Sequence, residues 1–304
     1  MARQKEGMKK LGFLNSATAK ELADPVDAFH RGMKQVGFVE GKNVEVAYQW
    51  AKHDLNRLTD CARKLVAAGV DVLAATGGIA SAHAAVEAAK KTTKPIRVVF
   101  VGGFDPVKAN LVSDLDRPSG NVTGVTTSTT ETLPERLRLA EELLREADIK
   151  AIALLVKPDT LVGRLERERA GGAAVLEAST EDELKARFAE AEKARHAILV
   201  GADAFFTSKR KQIVALAKRH GVPAIYAFRE YVDAGGLMSY GPSLTNAYRQ
   251  AGVYVGKILG DANSANPPVL QPTYFEHVIN LKTANALDLK VPHGLLARAT
   301  HVIH

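Results

Sequence analysis

Short apolar segments alternate with longer amphipathic ones along almost the whole chain. Segments 70–75 and 96–101 are mainly continuous apolar runs, the pattern of strands that are covered on both faces. Helix-length segments such as 181–194 separate these runs, with apolar positions three and four residues apart. This alternation predicts parallel sheets with helices on both faces.

The strand–helix order runs through twice, which predicts two similar α/β lobes rather than one long sheet. The predicted strands are 11–15, 44–50, 70–75, 96–101 and 122–126, then 151–156, 173–177, 197–200, 224–228 and 237–240. The predicted helices are 26–36, 55–68, 79–91 and a short one near 107–115, then 134–144, 161–169, 181–194 (capped by Ser179 or Thr180), 208–220 and 230–234.

The tail continues beyond two complete lobes. It predicts a helix at 246–259, a surface loop at 260–268, a strand at 273–282, and helices at 283–289 and 295–302. Because these elements remain after both lobes are formed, we expect the chain to cross back and complete each of them. Several crossings would form a hinge, and a cleft between lobes is a common ligand site.

Composition narrows the class of protein. The length of 304 residues suggests two domains at roughly 150 residues each. Cys61 is the only cysteine, which excludes a disulfide framework and a cysteine-based zinc site. The net charge of +7 fits an attraction for anions, but the basic residues are scattered and the densest cluster, 209–211, has no aromatic residue within it. We therefore predict no nucleic-acid partner.

In a doubly wound sheet, ligands bind beyond the carboxyl ends of the strands. The predicted strands place a defined set of candidate ligand-binding residues there. They are Asn15, Ser16, Thr76, Gly77, Gly78, Ile79, Ala80, Phe104 and Asp105 in the first half, and Asp203, Phe205, Tyr226, Phe228, Arg229 and Tyr240 in the second.

The stretch from Thr76 to Ser81 joins a strand to a helix through two glycines. Free N–H groups at the helix start can bind an anion, glycine permits close approach, and the Thr76 hydroxyl adds a donor. The stretch matches neither G-x-G-x-x-G nor G-x-x-x-x-G-K-[ST], so a carboxylate suits it better than a nucleotide. The alternative is a strand–helix turn that needs glycine for its dihedral angles, with Ser81 bonded locally.

Three charged candidates each carry a structural alternative. Asp203 is suited to a ligand ammonium or to capping the 208–220 helix, and Asp105 to a ligand or to capping the short helix after it. Arg229 is suited to a bidentate grip on a carboxylate or to an ion pair with Glu230. Tyr240 is suited to closing the cleft or to packing in the hinge, and several of the other aromatic candidates would equally serve as core residues.

Catalytic and metal-binding patterns are weak. The segment "LMSYG" has Leu237 where a G-x-S-x-G elbow requires glycine. No H-x-x-x-H pair occurs, and only His301 and His304 share a face of the predicted terminal helix. We therefore predict no catalytic residue, no metal and no cofactor, and expect the protein not to be an enzyme.

Longer stretches carry a family resemblance. These are "GFVEGKNVEVAYQWA" (37–51), "GGFDPVKANLVSDLDRPSGNVTGV" (102–125), "ILVGAD" (198–203), "GLMSYGPSLTNAYRQAGVYVGKIL" (236–259) and "QPTYFEHVINLKTANAL" (271–287). In this order, over nearly the whole chain, they resemble ABC-transporter substrate-binding proteins, in the subgroup related to tryptophan- and tyrosine-binding lipoproteins.

The resemblance implies the type I periplasmic binding-protein fold, with two doubly wound lobes and a three-crossing hinge. The expected lobes are 8–123 with 242–271 and 124–241 with 272–304. It also implies a monomer in the periplasm that delivers its solute to an ABC permease. Two features depart from the family: no export signal or lipoprotein cysteine is present in this sequence, and the segment after Lys157 is short, so we expect a trimmed helix there.

The expected function is capture of a small carboxylate, an amino acid or an aromatic acid, in the cleft between the lobes by hinge closure. The aromatic part of the expectation rests on the phenylalanine and tyrosine candidates together with Phe206. The alternative is a cytoplasmic sensor of the same fold, which the missing export signal favours.

Overall fold

A computed structural model describes residues 7–118, 120–261 and 266–304. The chain forms two compact units. Unit 1 comprises the residues up to Thr126 together with Thr245–Gln271, and unit 2 comprises Thr127–Leu244 and Pro272–His304. The chain therefore passes from one unit to the other three times.

Unit 1 is built on a five-stranded sheet in the order β2-β1-β3-β4-β5, in which every neighbouring pair is parallel. Its strands are β1 (Lys9–Asn15), β2 (Val44–Trp50), β3 (Val72–Ala75), β4 (Arg97–Gly102) and β5 (Val122–Thr126). Its helices are α1 (Ala23–Gln35), α2 (Arg57–Ala67), α3 (Ile79–Ala89) and α10 (Leu244–Gly260), whose first residue belongs to unit 2.

Unit 2 is built on a seven-stranded sheet in the order β12-β11-β10-β9-β8-β6-β7. Its strands are β6 (Ala151–Val156), β7 (Ala174–Glu177), β8 (His196–Val200), β9 (Ala224–Tyr226), β10 (Met238–Gly241), β11 (Glu276–Asn280) and β12 (His301–Ile303). Its helices are α4 (Leu133–Leu144), α5 (Leu161–Glu168), α6 (Glu181–Ala194), α7 (Ala204–Ser208), α8 (Arg210–His220), α9 (Arg229–Asp233), α11 (Leu281–Ala286) and α12 (His293–Arg298).

The two sheets repeat one winding pattern. In each, the first strand of the unit lies between the second and the third, so the order 7-6-8-9-10 in unit 2 repeats 2-1-3-4-5 in unit 1. The pairs of unit 2 are parallel except β10 with β11, which is antiparallel. The winding reverses direction once in each sheet, between β1 and β3 and between β6 and β8.

Burial explains why the apolar runs form central strands. All four residues of β3 and all but the first of β4 are buried, as expected for strands covered by helices on both faces. In unit 2, α4 packs leucines such as Leu139 and Leu143 against Leu154 and Leu199 of the sheet. The predicted N-terminus of α6 is formed by Thr180 and Glu183, which make a reciprocal capping box.

The short helix expected near 107–115 does not form. The Asp105 carboxylate accepts hydrogen bonds from the backbone N–H groups of Val107 and Lys108, which begins a turn as a cap would. The turn ends at once, because Asn110 adopts a left-handed conformation with φ of 54°. This prediction was wrong beyond its first turn.

The predicted terminal helix at 295–302 was also wrong. The helix α12 ends at Arg298, and His301–Ile303 then form β12, which pairs in parallel with β11. The strand supplies partners for the backbone of β11, and its β-branched Val302 and Ile303 favour extended conformations. His301 therefore lies on a strand, so the helical face proposed for His301 and His304 is absent.

Two other boundaries moved for local reasons. The predicted strand 224–228 ends at Tyr226, because Phe228 already serves as the N-cap of α9. The predicted strand 273–282 is shortened to β11, because Asn280 caps α11 with its side chain. The predicted loop 260–268 lies partly outside the described residues. Within the described ranges, no helix has the length and apolar character needed to cross a membrane.

Candidate functional site

In unit 1 the winding reverses between β1 and β3, and the residues that end these strands are bonded to each other. The Asn15 side-chain amide donates to the Thr76 hydroxyl at 2.9 Å, and its Oδ1 atom accepts from the N–H of Ala17 at 2.8 Å. Both side chains are almost completely buried. A hydroxyl that accepts one bond can still donate its own hydrogen, so Thr76 keeps a donor at this edge.

A third side chain joins this pair from a distant part of the sequence. The Tyr248 hydroxyl, on α10, donates to the Thr76 carbonyl at 2.8 Å and lies 3.4 Å from the Asn15 amide nitrogen. Tyr248 is not among the predicted site residues, because periodicity places it on the buried face of a helix without showing which strand end that face meets.

The loop after β3 approaches the loop after β1 very closely. The Ser16 hydroxyl donates to the Gly77 carbonyl at 3.0 Å. A Cβ atom on Gly77 would collide with the Ser16 backbone nitrogen and with the Ser81 hydroxyl oxygen. Glycine at 77 is therefore required by close approach.

Several donors lie at the start of α3. Gly78 is its N-cap, with φ of 81°, and the N–H groups of 79–81 precede the first intrahelical bond, so they have no partner within the helix. The Ser81 hydroxyl is buried and has no hydrogen-bond partner among the residues that the structure describes. Polar hydrogens without acceptors at a helix start are suited to an anion.

In unit 2 the corresponding reversal lies between β6 and β8. Lys157 directly follows β6, and its ammonium nitrogen lies 5.6 Å from the centroid of the Phe205 ring. Lys157 was missed as a candidate, although the strand-end rule that selected the other residues also selects it. Its cation and the Asp203 carboxylate interact electrostatically.

Asp203 caps α7, a helix that the sequence analysis did not predict. Its carboxylate accepts from the N–H of Phe205 at 2.9 Å. Burial raises the pKa of Asp203, and the Phe205 N–H, the Lys157 charge and the Thr160 hydroxyl oppose that rise. Asp203 therefore does cap a helix, as its structural alternative predicted, but the helix is α7 and not the predicted 208–220 helix. A carboxylate has further lone pairs, so capping leaves acceptor capacity.

The remaining polar candidates have local partners. The Arg229 guanidinium lies 3.3 Å from the Asp233 carboxylate, one helical turn away. Asp105 caps its turn and lies 4.0 Å from the Lys108 ammonium. Ligand contacts of both residues stay predictions.

The aromatic candidates are mostly interior. Phe104, Tyr226 and Phe228 are almost completely buried, and the Tyr226 ring stacks on Tyr231 at 4.5 Å between centroids. Tyr240 is partly exposed and stacks on the Phe275 ring at 6.0 Å. Phe205 differs from these residues because its ring lies under the Lys157 ammonium and its N–H donates to the Asp203 carboxylate.

A pocket in unit 2 lies at the opposite end of β6 from Lys157. Its volume is about 470 Å³, and its lining includes Leu137 and Leu144 of α4 and Ile152 of β6. None of the predicted site residues lines it. Among the described residues there is also no group of three or more histidine, cysteine, aspartate or glutamate side chains that could hold a metal.

Comparison with known proteins gives a consistent result. The family described as "ABC transporter substrate binding protein" matches residues 19–303. The tyrosine-binding protein of Clostridioides difficile strain R20291 is 23% identical over 290 residues, which cover 93% of this chain and 81% of that protein.

Solved structures agree with this match. A conserved domain protein from Vibrio cholerae O1 biovar El Tor has a TM-score of 0.83 and 26% identity, covering 97% of this chain and 99% of that one. The ABC domain from Streptococcus pneumoniae in complex with L-Trp has a TM-score of 0.80 and 24% identity, covering 98% and 100%. These neighbours confirm the predicted type I periplasmic-binding fold.

Proposed function

Because the chain belongs to the family of ABC transporter substrate-binding proteins, which are solute-binding proteins and not enzymes, we propose that its solute is a small carboxylate and specifically an amino acid. The observation that carries this proposal is the set of neutral donors at the start of α3. The Thr76 hydroxyl, the buried Ser81 hydroxyl and the first N–H groups of the helix match the needs of one carboxylate.

The second half of the proposal concerns the ligand's amino group. Asp203 lies in the loop after β8, the strand in unit 2 that corresponds to β3 in unit 1. Its carboxylate suits an ammonium, and Phe205 offers an aromatic surface beside it. In this proposal the neutral donors at the start of α3 bind the ligand's carboxylate, and Asp203 binds its ammonium.

The relatives support an aromatic side chain on the ligand. One is named as a tyrosine-binding protein, and another was solved with L-Trp. We therefore propose an aromatic amino acid, an extracytoplasmic location as is usual for the family, and delivery of the solute to an ABC permease.

Isothermal titration calorimetry of the purified protein tests this assignment. The titrants are L-tyrosine, L-tryptophan and L-phenylalanine, their desamino analogues, and myo-inositol as a ligand without a carboxylate. We expect at least one of the amino acids to bind and myo-inositol not to bind. Failure of all three amino acids would contradict the proposal.

The variant Asp203→Asn separates the ammonium from the carboxylate. Asparagine still caps a helix, so the fold is retained, but the charge is lost. We expect the affinity for the amino acid to fall by about 10-fold to 100-fold, the range for one charge-assisted hydrogen bond, while the desamino analogue binds the variant as it binds the wild type. Equal losses for both ligands would exclude Asp203 as the ammonium site.

A further inference from the structure

A buried ion pair lies beneath the site in unit 2. The side chains of Arg136, on α4, and Glu166, on α5, are both fully buried, and the Arg136 Nη2 and Glu166 Oε1 atoms are 3.9 Å apart. The Arg136 Nη1 group donates to the Thr129 carbonyl at 3.0 Å and to the Thr132 hydroxyl at 2.9 Å.

The pair is only partly satisfied. Arg136 Nε and Nη2 and Glu166 Oε2 have no hydrogen-bond partner within the described part of the chain. Burial raises the pKa of Glu166 to about 7 and lowers the pKa of Arg136 to about 10, and each charge partly offsets the shift of the other. Apolar residues of similar volume are often at least as stable as such a pair. A contribution to stability is therefore a weak explanation for its presence.

Glu166 also contacts the loop that presents Asp203. Its Oε1 atom accepts from the N–H of Ala202 at 2.7 Å. A Cβ atom on Gly201 would collide with Glu166 Oε2, so glycine is needed for the loop to lie this close. The Gly201 N–H continues the sheet by donating to the Leu155 carbonyl at 2.9 Å.

Two carboxylates therefore approach one three-residue loop. The negative charge of Asp203 adds to the rise in the pKa of Glu166 that burial causes. Arg136 supplies the compensating positive charge from α4, while Lys157 acts on Asp203 from the end of β6. This arrangement keeps an acceptor beneath the loop without placing an uncompensated second negative charge beside the site.

We propose that Glu166, compensated by Arg136, is a positioning residue for ligand binding: its bond to the Ala202 N–H holds residues 201–203 so that the Asp203 carboxylate meets the ligand's ammonium. The inference rests on the proposed function and adds two buried residues that do not touch the solute. It assigns the pair a role in selectivity for ligands with an amino group.

Two double variants isolate the bond to Ala202. Arg136→Met with Glu166→Gln removes both charges and keeps a carbonyl oxygen at 166, whereas Arg136→Met with Glu166→Met removes the charges and the acceptor. Neither leaves an unpaired buried charge. The two proteins differ at position 166 alone, where only glutamine can accept a hydrogen bond from the Ala202 N–H.

Calorimetry is performed on wild type and both variants with L-tyrosine, L-tryptophan and their desamino analogues. We expect the Gln-containing variant to bind the amino acid about fivefold more tightly than the Met-containing one, as suits one hydrogen bond. The desamino analogue should bind both variants equally. Amide hydrogen exchange without ligand should be faster at Ala202 in the Met-containing variant.

The outcomes separate this inference from the proposed function. If wild type binds none of these amino acids, the proposed function is wrong and the positioning role falls with it. If wild type binds but the two variants have equal affinities for the amino acid, the proposed function survives and the positioning role is overturned. Equal exchange at Ala202, or an equal loss for the desamino analogue, also overturns it.

Discussion

The two units share one winding order, yet their strand ends at the reversal carry opposite kinds of chemistry. Unit 1 presents neutral groups: an amide, hydroxyls and the backbone N–H groups at the start of α3. Unit 2 presents ions, with Lys157 and Asp203 at the strand ends and a buried ion pair beneath them. The fold therefore fixes where the groups lie, and the side chains decide what each unit attracts.

The difference also affects how each unit is held together. In unit 1 the loops after β1 and β3 are locked by hydrogen bonds and by the absence of a Cβ atom at Gly77. In unit 2 the loop after β8 depends on a charged side chain from α5. Substitutions at these loops of unit 1 should thus lower stability and affinity by disturbing steric fit. Substitutions beneath the loop of unit 2 should lower them by leaving a buried charge uncompensated.

The largest expected effect is in unit 2. Glu166→Met leaves the Arg136 guanidinium buried without its counter-charge, which should lower the free energy of unfolding by about 3–5 kcal/mol. Urea denaturation measures the change. Glu168→Met, on an exposed position of the same helix, is the matched control and should change stability by about 0.5 kcal/mol or less. Equal stability of the two variants would show that the buried Arg136 charge does not need Glu166 as its counter-charge.

Much of the architecture followed from the sequence. The expected bounds of β2, β5, β6 and α6 are those observed, because these segments have clear apolar patterns or caps. The strand-end rule also selected Asn15 and Thr76, which the structure brings to a 2.9 Å hydrogen bond. Apolar patterns and capping residues were sufficient to predict an element wherever its own residues determine it.

The contacts that the sequence could not predict join residues that lie far apart along the chain. The Tyr248 hydroxyl reaches Thr76 across 172 positions, and β12 forms because β11 has a neighbouring place for it. The Arg136–Glu166 pair was not predicted either, since a charged residue in an amphipathic helix is normally expected to be exposed. Hydrophobic periodicity cannot identify a charge that is buried with its partner.

An intermediate effect is expected at the close approach in unit 1. Gly77→Ala places a Cβ atom against the Ser16 nitrogen and the Ser81 hydroxyl, so the two loops must separate. We expect a loss of about 1–3 kcal/mol in unfolding free energy, together with weaker binding of amino acids and desamino analogues alike.

Gly294→Ala is the control for this substitution, because a Cβ atom there would lie more than 4 Å from every described atom outside its chain neighbours and its own helix backbone. It should leave stability and binding nearly unchanged. A Gly77→Ala protein that bound carboxylates as wild type does would remove the donors of unit 1 from the proposed site.

The smallest expected effect tests whether the charge of Lys157 contributes to attraction. Lys157→Met keeps an unbranched side chain over the Phe205 ring but removes the ammonium. Because Lys157 is partly exposed and its charge is screened by solvent, we expect affinity for the desamino carboxylates to fall by only about twofold to fivefold.

The control variant is Lys211→Met, at an exposed position on α8, which loses the same charge and so has the same net charge as Lys157→Met. Titrations at low and high salt should show a weaker salt dependence for Lys157→Met than for Lys211→Met, because only the first removes a charge close to the site. The same dependence in both variants would mean that the Lys157 charge does not help to attract the carboxylate, and the ionic character of unit 2 at the proposed site would then rest on Asp203.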